Sequence, residues 1–142
     1  MNHAIISIGS NIQPQRHVQA ALDLLASHFE LLAHSAIVQT RPIDRPLQDD
    51  YLNTCALVAT DLDRPALEQW LHDAEVALGR VRSADKFAAR TIDLDVIVWN
   101  GEIVDGDVHE RDFLRAAVEE LERQFPMLNA QCPINTQNQN VQ

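Results

Sequence analysis

Two aspartates separated by one residue, Asp93 and Asp95, lie in the stretch RTIDLDVIVW, which otherwise resembles a buried strand. Alternate residues of a strand point to the same face, so we expect the two Cα atoms to lie roughly 6–7 Å apart. Carboxylates this close repel each other unless a cation lies between or beside them. The spacing therefore predicts that they hold one or two Mg²⁺ ions against a triphosphate. The alternative is that both aspartates cap the strand at its solvent edge.

Positive charge is concentrated immediately before these aspartates. Arg80, Arg82, Lys86 and Arg90 are four of only eleven basic residues in a chain with a net charge of −10. Phosphoryl transfer depends on neutralising charge with metal ions on one side and Arg or Lys on the other. Small residues within this segment would let it move as a lid that excludes water. From charge alone, a solvated basic loop is the alternative interpretation.

A second group of residues suits a flat heterocycle. Tyr51 and Asn53 are two apart on a predicted strand and therefore share a face. A tyrosine ring can stack on a heterocycle, and an amide can recognise its donor and acceptor edges. Phe113 could supply a second stacking surface. The alternative is that Tyr51 and Phe113 are ordinary core aromatics.

His72 and Glu75 lie one turn apart on a predicted helix and could point together toward a phosphate or a metal-bound water. No pair among the six histidines has the spacing of metal ligands on one helix face. With only four glycines and no glycine-rich phosphate loop, any ATP site in this chain does not use a P-loop.

Hydrophobic periodicity predicts the elements that must position these side chains. The expected strands cover 4–11, 32–40, 51–60 and 90–99, with a short strand after an Asn100-Gly101 turn; the expected helices cover 14–29, 63–79 and 109–125. Segments 41–50 and 80–89 are expected to be loops. This order predicts an α+β, ferredoxin-like βαββαβ sandwich, in which helices pack on a mainly antiparallel sheet.

Length and composition limit the possible classes of protein. The 142 residues suit one domain, which we place at 1–128, followed by a polar and disordered tail at 129–142. A net charge of −10 argues against general nucleic-acid binding. No apolar run is long enough to span a membrane, no secretory signal is recognisable, and the two cysteines form no disulfide framework. We expect a cytoplasmic monomer that binds small molecules.

Several motifs together resemble a known family. They are ISIGSN at 6–11, DYLN at 50–53, GRVR at 79–82 and KFAARTIDLDVI at 86–97. In type and order they are similar to those of the 6-hydroxymethyl-7,8-dihydropterin pyrophosphokinases of folate biosynthesis. The resemblance covers about residues 4–125.

The resemblance implies a ferredoxin-like fold and Mg²⁺-dependent transfer of pyrophosphate from ATP to the pterin hydroxymethyl group. Asp93 and Asp95 would hold two Mg²⁺ ions, and Arg80 and Arg90 would act on the transferred group. The remaining positions divide by substrate. ATP would be bound by His72, Glu75, Arg82, Lys86 and Arg111, and the pterin by Tyr51, Asn53 and Phe113.

The chain departs from the family pattern in three places. The lid motif, usually aromatic-Gly-Pro-Arg, is Phe87-Ala88-Ala89-Arg90, and the segment before Phe113 is shortened and lacks a Pro-His pair. The C-terminal region is also short. These differences motivate an alternative, a pterin- or nucleotide-binding paralogue with reduced or no transferase activity. A ferredoxin-like interaction module is a further alternative, but it would leave Asp93, Asp95, Arg80 and Arg90 unexplained.

Overall fold

The structure is a computed structural model that describes residues 1–41, 49–80 and 91–130. Residues 129 and 130 are described by their backbone alone. Three groups of predictions lie outside the described residues. They concern most of the 41–50 loop, the basic segment that contains Arg82, Lys86 and Arg90, and the greater part of the tail. The domain limits at 1–128 remain a prediction.

The described chain contains six strands and five helices. The strands are β1 (Asn2–Ser10), β2 (Glu30–His34), β3 (Val38–Thr40), β4 (Tyr51–Thr60), β5 (Asp93–Trp99) and β6 (Glu102–Ile103). The helices are α1 (Pro14–His28), α2 (Arg64–Ala77), α3 (Asp107–Glu110), α4 (Asp112–Gln124) and α5 (Met127–Ala130).

The strands form one antiparallel sheet in the order β2-β4-β1-β5-β6, and β3 also pairs with β4. Helix α1 connects β1 to β2, and α2 leads from β4 toward β5. If β2 and β3 are counted as one interrupted strand, this is the βαββαβ order predicted from the sequence. The α+β, ferredoxin-like class is therefore confirmed.

Helices cover both faces of the sheet. On one face, α1 and α2 pack against alternate residues of the central strands, such as Ile6, Val58 and Leu94. On the other face, α4 packs against Ile5 and Leu57. Each strand contributes to both cores because its successive side chains point in opposite directions. The sheet is thus held rigidly between two apolar layers, which is what a site built on its strands requires.

One strand and one helix that were predicted to be continuous are each divided in two in the structure. The strand expected at 32–40 is interrupted between β2 and β3, where Ser35 is buried and its Oγ accepts a hydrogen bond from the Cys55 amide at 2.9 Å. This hydroxyl replaces a ladder acceptor while the chain shifts its register. The helix expected at 109–125 is divided at Arg111, whose backbone is extended (φ −112°, ψ 116°).

The ends of α2 agree with the prediction from sequence. Asp63 caps the helix by accepting a hydrogen bond from the Ala66 amide at 2.9 Å, and proline occupies the first turn. Gly79 follows the helix with a positive φ of 101°, a conformation that glycine adopts without strain. The reversal at Gly79 brings Arg80 back toward the sheet. The strand predicted at 90–99 begins at Asp93.

Candidate active site

A polar cleft of about 460 Å³ lies between α2 and the exposed edge of β5. It brings together five residues that the sequence selected. These are His72, Glu75, Arg80, Asp93 and Asp95. A wider depression of about 850 Å³ beside the start of α1 contains none of the predicted site residues among its described lining. The α2–β5 cleft is therefore the candidate active site.

Arg80 is fixed between two carboxylates. Its Nη1 donates to Glu75 Oε2 at 2.8 Å and to Asp93 Oδ1 at 3.1 Å. The Arg80 side chain is 13% exposed and that of Asp93 28%, so solvent only partly screens this contact. The geometry places a guanidinium group directly beside one of the paired aspartates.

Asp95 lies in an environment of excess negative charge. Burial, followed by repulsion from Asp93, Glu75 and Asp105, raises the pKa of Asp95 to about 7, while Arg80 opposes the rise. The Asp95 residue is nevertheless exposed to solvent, which limits desolvation and makes repulsion from the neighbouring carboxylates the main cause of the raised pKa. A bound cation would relieve that repulsion, whereas a strand cap in solvent would not experience it.

The raised pKa predicts that protons compete with divalent ions at Asp95. We expect the affinity for Mn²⁺, titrated alone and followed by electron paramagnetic resonance, to fall about tenfold from pH 8 to pH 6. In Asp95→Asn this component of the pH dependence should disappear. An equal slope in the variant and the wild type would contradict this assignment of the pKa.

The same shift predicts how the stability of the metal-free protein depends on pH. A folded-state pKa of about 7, well above the ordinary pKa of an aspartate, contributes stability at low pH that is lost as the pH rises through 7. Asp95→Asn should therefore stabilise the protein relative to wild type at pH 8. After allowance for solvent screening at this accessible group, we expect about 1 kcal/mol in urea unfolding, and no gain at pH 4.

Strand register connects this cleft to the predicted heterocycle site. Gly9 of β1 lies opposite Asn53 of β4 on one side and opposite Asp93 of β5 on the other. Directly opposed residues of neighbouring strands point to the same face. Asn53, Gly9 and Asp93 therefore form a row, in which the outer Cα atoms are roughly 10 Å apart. Because the middle residue has no side chain, the Asn53 and Tyr51 side chains can approach the centre of the row closely.

The side chain of Asn53 is held in one orientation. Its Nδ2 donates to Thr40 Oγ1 at 2.6 Å, and Asn53 is only 8% exposed. Together with Phe113 it lines a small cavity of about 80 Å³ between β4 and α4. The structure thus brings Asn53 and Phe113 together. Tyr51 lies two residues before Asn53, on the same face of β4.

Gly9 makes a testable contribution to this geometry. A Cβ at position 9 would lie 3.0 Å from Asn53 Oδ1 and 3.7 Å from the Tyr51 ring. Since Thr40 restrains Asn53, we expect Gly9→Ala to weaken binding of the dihydropterin that the resemblance implies about tenfold, and to leave binding of the implied ATP unchanged. Calorimetric titration with each ligand measures this. Gly106→Ala is the control because a Cβ there has open space; equal effects of the two variants would contradict the prediction.

The other predicted site residues are not all in these two regions. Arg111 lies between α3 and α4, where its Nε is 3.6 Å from Asp107 Oδ2, and it is not among the described residues that line the cleft. Arg82, Lys86 and Arg90 lie outside the described residues. The roles assigned from the sequence remain predictions for these four positions, as they do for the residues that the cleft and the small cavity bring together.

Three residues of the site were missed from the sequence. Asp105 lines the cleft and adds to its negative charge, but it follows β6 without a recognisable motif. Thr40 orients Asn53 from β3, a strand that was not separated from β2. Gly9 lies within the strand predicted at 4–11 and was not selected as a site residue, although an isolated glycine inside an apolar strand pattern signals close approach of other groups.

The donor set of the cleft is suitable for Mg²⁺. Asp93 and Asp95 supply carboxylate oxygens, and the repulsion acting on Asp95 is what a divalent ion would offset. Within 1–41, 49–80 and 91–130, no three or more His, Cys, Asp or Glu residues form a complete metal cage. Mg²⁺ usually takes only one or two protein carboxylates and completes its octahedron with waters and substrate phosphates, so an incomplete cage fits this ion.

Comparisons with known proteins agree with this geometry. The family model for 7,8-dihydro-6-hydroxymethylpterin-pyrophosphokinase matches residues 5–123. A 2-amino-4-hydroxy-6-hydroxymethyldihydropteridine pyrophosphokinase of Haemophilus influenzae is 30% identical over 139 residues, covering 90% of this chain and 86% of that protein. Proteins of the same name from Bacillus subtilis and Methylorubrum extorquens are 29% and 31% identical over 84% and 85% of the chain, covering 78% and 83% of their own lengths. The chain therefore belongs to the 7,8-dihydro-6-hydroxymethylpterin-pyrophosphokinase family.

Proposed function

We propose that this protein transfers a diphosphoryl group from ATP to the hydroxymethyl oxygen of 6-hydroxymethyl-7,8-dihydropterin, a step of folate biosynthesis. The observation that carries the proposal is the row formed by Asn53, Gly9 and Asp93. It joins an amide suited to a heterocycle with a carboxylate pair suited to a metal-bound polyphosphate, across a distance that one substrate molecule can span. Membership of the family supports the same activity.

The reaction balances without any further reactant. The hydroxymethyl oxygen forms a bond to the β-phosphorus of ATP, and the bond from that phosphorus to the oxygen shared with the α-phosphate breaks. AMP leaves, and the hydroxyl proton passes to solvent. The products are AMP and the pterin diphosphate.

Asp93 and Asp95 would hold the ions that accompany ATP, and we propose two Mg²⁺. When bound, the ions neutralise charge on the phosphate oxygens and orient the transferred group. Arg80 faces the same position from the end of α2 and offers a planar, permanently charged group to the developing negative charge. By family resemblance, Arg90 has a similar function.

The pterin and the ATP would be bound on either side of Asp93, Asp95 and Arg80. Asn53 would recognise polar atoms at the pterin edge, while Tyr51 and Phe113 would contact its faces. On the ATP side we propose His72 and Arg111 among the described residues, and Arg82 and Lys86 among those outside them. Glu75 lies at the buried end of the same cleft. Closure of the basic segment would exclude water from the transfer.

The wider setting is also a proposal. We infer a monomer that functions in the cytoplasm and exchanges small-molecule substrates, without a nucleic-acid partner. In the part of the chain that the structure describes, no helix is both long enough and apolar enough to cross a membrane.

The proposal is tested by mixing the purified protein with ATP, Mg²⁺ and 6-hydroxymethyl-7,8-dihydropterin. We expect AMP and the pterin diphosphate to form in equal amounts, as measured by anion-exchange chromatography. Omitting the pterin is the control, because AMP release should then stop. Binding of both substrates without any AMP would contradict transferase activity and favour a binding paralogue.

A further inference from the structure

Glu75 is a carboxylate buried within the structure. The residue is 3% exposed and lies on the buried side of α2, whose other members are the apolar Leu67, Leu71 and Ala74. A buried charge is costly unless it is paired and hydrogen-bonded. Glu75 meets both conditions, since its Oε2 accepts from the Arg80 guanidinium and from the Leu94 amide, each at 2.8 Å.

Among the described residues, no strand pairs with β5 at Leu94 on the side away from β1, and Glu75 contacts the Leu94 amide there. At this point β5 pairs with β1 on one side, whereas β6 on the other side pairs only with Val98 and Trp99. The Leu94 amide donates to Glu75 instead of to a neighbouring strand. Leu94 lies between Asp93 and Asp95, so this single hydrogen bond holds the backbone from which both metal-binding carboxylates project.

The contact between Glu75 and Arg80 fixes the arginine that lies beside Asp93. The backbone carbonyl of Glu75 accepts from the Arg80 amide at 3.0 Å, while its carboxylate accepts from the Arg80 side chain. The same Nη1 of Arg80 reaches Asp93. One residue of α2 therefore holds Arg80 at both its backbone and its side chain, and holds β5 as well.

We propose that Glu75 is a positioning residue that sets Arg80 and the Asp93–Asp95 segment against each other, and that it does not contact the nucleotide. Its burial and the Arg80 and Leu94 donors hold the carboxylate between α2 and β5, and its negative charge would repel a bound phosphate. The inference deepens the proposed function, because it concerns the same site and assumes that Arg80 acts on the transferred group.

A double-mutant cycle tests whether Glu75 acts through Arg80. In Glu75→Gln the amide still accepts from Leu94 but no longer attracts the guanidinium. We expect kcat to fall about thirtyfold, with the KM for ATP within about twofold of wild type. In the Arg80→Lys background the same change should cost less than about threefold. Asp73→Asn is the matched control, since Asp73 is an exposed carboxylate on α2 that accepts a hydrogen bond from Gln69.

Two kinetic outcomes would overturn the inference. An increase in the KM for ATP with an unchanged kcat would indicate direct contact with the nucleotide, and a full thirtyfold loss in both backgrounds would show action independent of Arg80. Glu75→Asp provides a rescue comparison. It keeps the charge, so it should retain more of kcat than Glu75→Gln does; equal losses would also contradict the inference.

A measurement that needs no turnover separates this inference from the proposed function. In native-state hydrogen exchange, the Leu94 amide should be protected in wild type and in Glu75→Gln, and should exchange at least about a hundredfold faster in Glu75→Ala. If wild type releases no AMP, the proposed function fails. The exchange rate of the Leu94 amide still decides whether Glu75 holds β5. Unchanged exchange in Glu75→Ala would overturn the inference.

Discussion

Replacing Asp95 with asparagine is expected to reduce turnover at least about a thousandfold while the protein remains folded. The amide has nearly the same shape but carries no charge, so it cannot offset a divalent ion in the cleft. The excess negative charge around Asp95 is also relieved, so the variant should lose no stability. The measurement is kcat from AMP release, together with urea unfolding of the same preparation.

The control for this variant is Asp23→Asn, which removes an exposed carboxylate on α1 that accepts from Gln19. Its turnover should match that of wild type. Near-normal turnover in Asp95→Asn would contradict the role of the paired aspartates. If Asp95→Asn were unfolded, this would contradict the conclusion that the negative charge of Asp95 destabilises the folded protein.

The second large effect is expected at Arg80. Arg80→Lys retains the positive charge but replaces a planar group, which donates to Glu75 and Asp93 from a single nitrogen, with a flexible ammonium. A lysine cannot keep these contacts and also present a fork of donors to phosphate. We expect kcat to fall about a hundredfold, with the affinity for the dihydropterin substrate unchanged.

Arg115→Lys is the matched control, because Arg115 is an exposed residue of α4 that pairs with Asp112. Turnover in that variant should stay within about twofold of wild type. If Arg80→Lys lowers kcat no more than the control does, the positive charge alone is sufficient. The fixed geometry among Glu75, Arg80 and Asp93 would then have no catalytic importance.

Local signals predicted α2 and its surroundings well. Asp63 and Pro65 have side chains that favour the start of a helix, and Gly79 permits the positive φ that ends it. Asp93 and Asp95 point to the same face because alternate residues of a strand do so. This prediction does not depend on which strands lie beside β5. Features of this kind depend on residues close in sequence, so the sequence alone predicts them.

Long-range features were harder to predict. The break at Ser35 depends on a hydrogen bond with Cys55, which is twenty residues away in the sequence. Hydrophobic periodicity does not indicate such a bond. The register that places Gly9 between Asn53 and Asp93 depends on how three separate strands pair. Nothing in the sequence neighbourhood of Glu75 indicates that the Leu94 amide of β5 would donate a hydrogen bond to it.

The central claim is that Asp93 and Asp95 bind the metal ions that hold ATP, and direct counting of bound ions tests it best. Mn²⁺ binding can be followed by electron paramagnetic resonance in the presence of a non-hydrolysable ATP analogue and the dihydropterin substrate. We predict two ions per protein molecule in wild type and weaker, incomplete binding in the Asp93→Asn and Asp95→Asn variants. If both variants bind as many ions as wild type, with the same affinity, the carboxylate pair does not form the metal site.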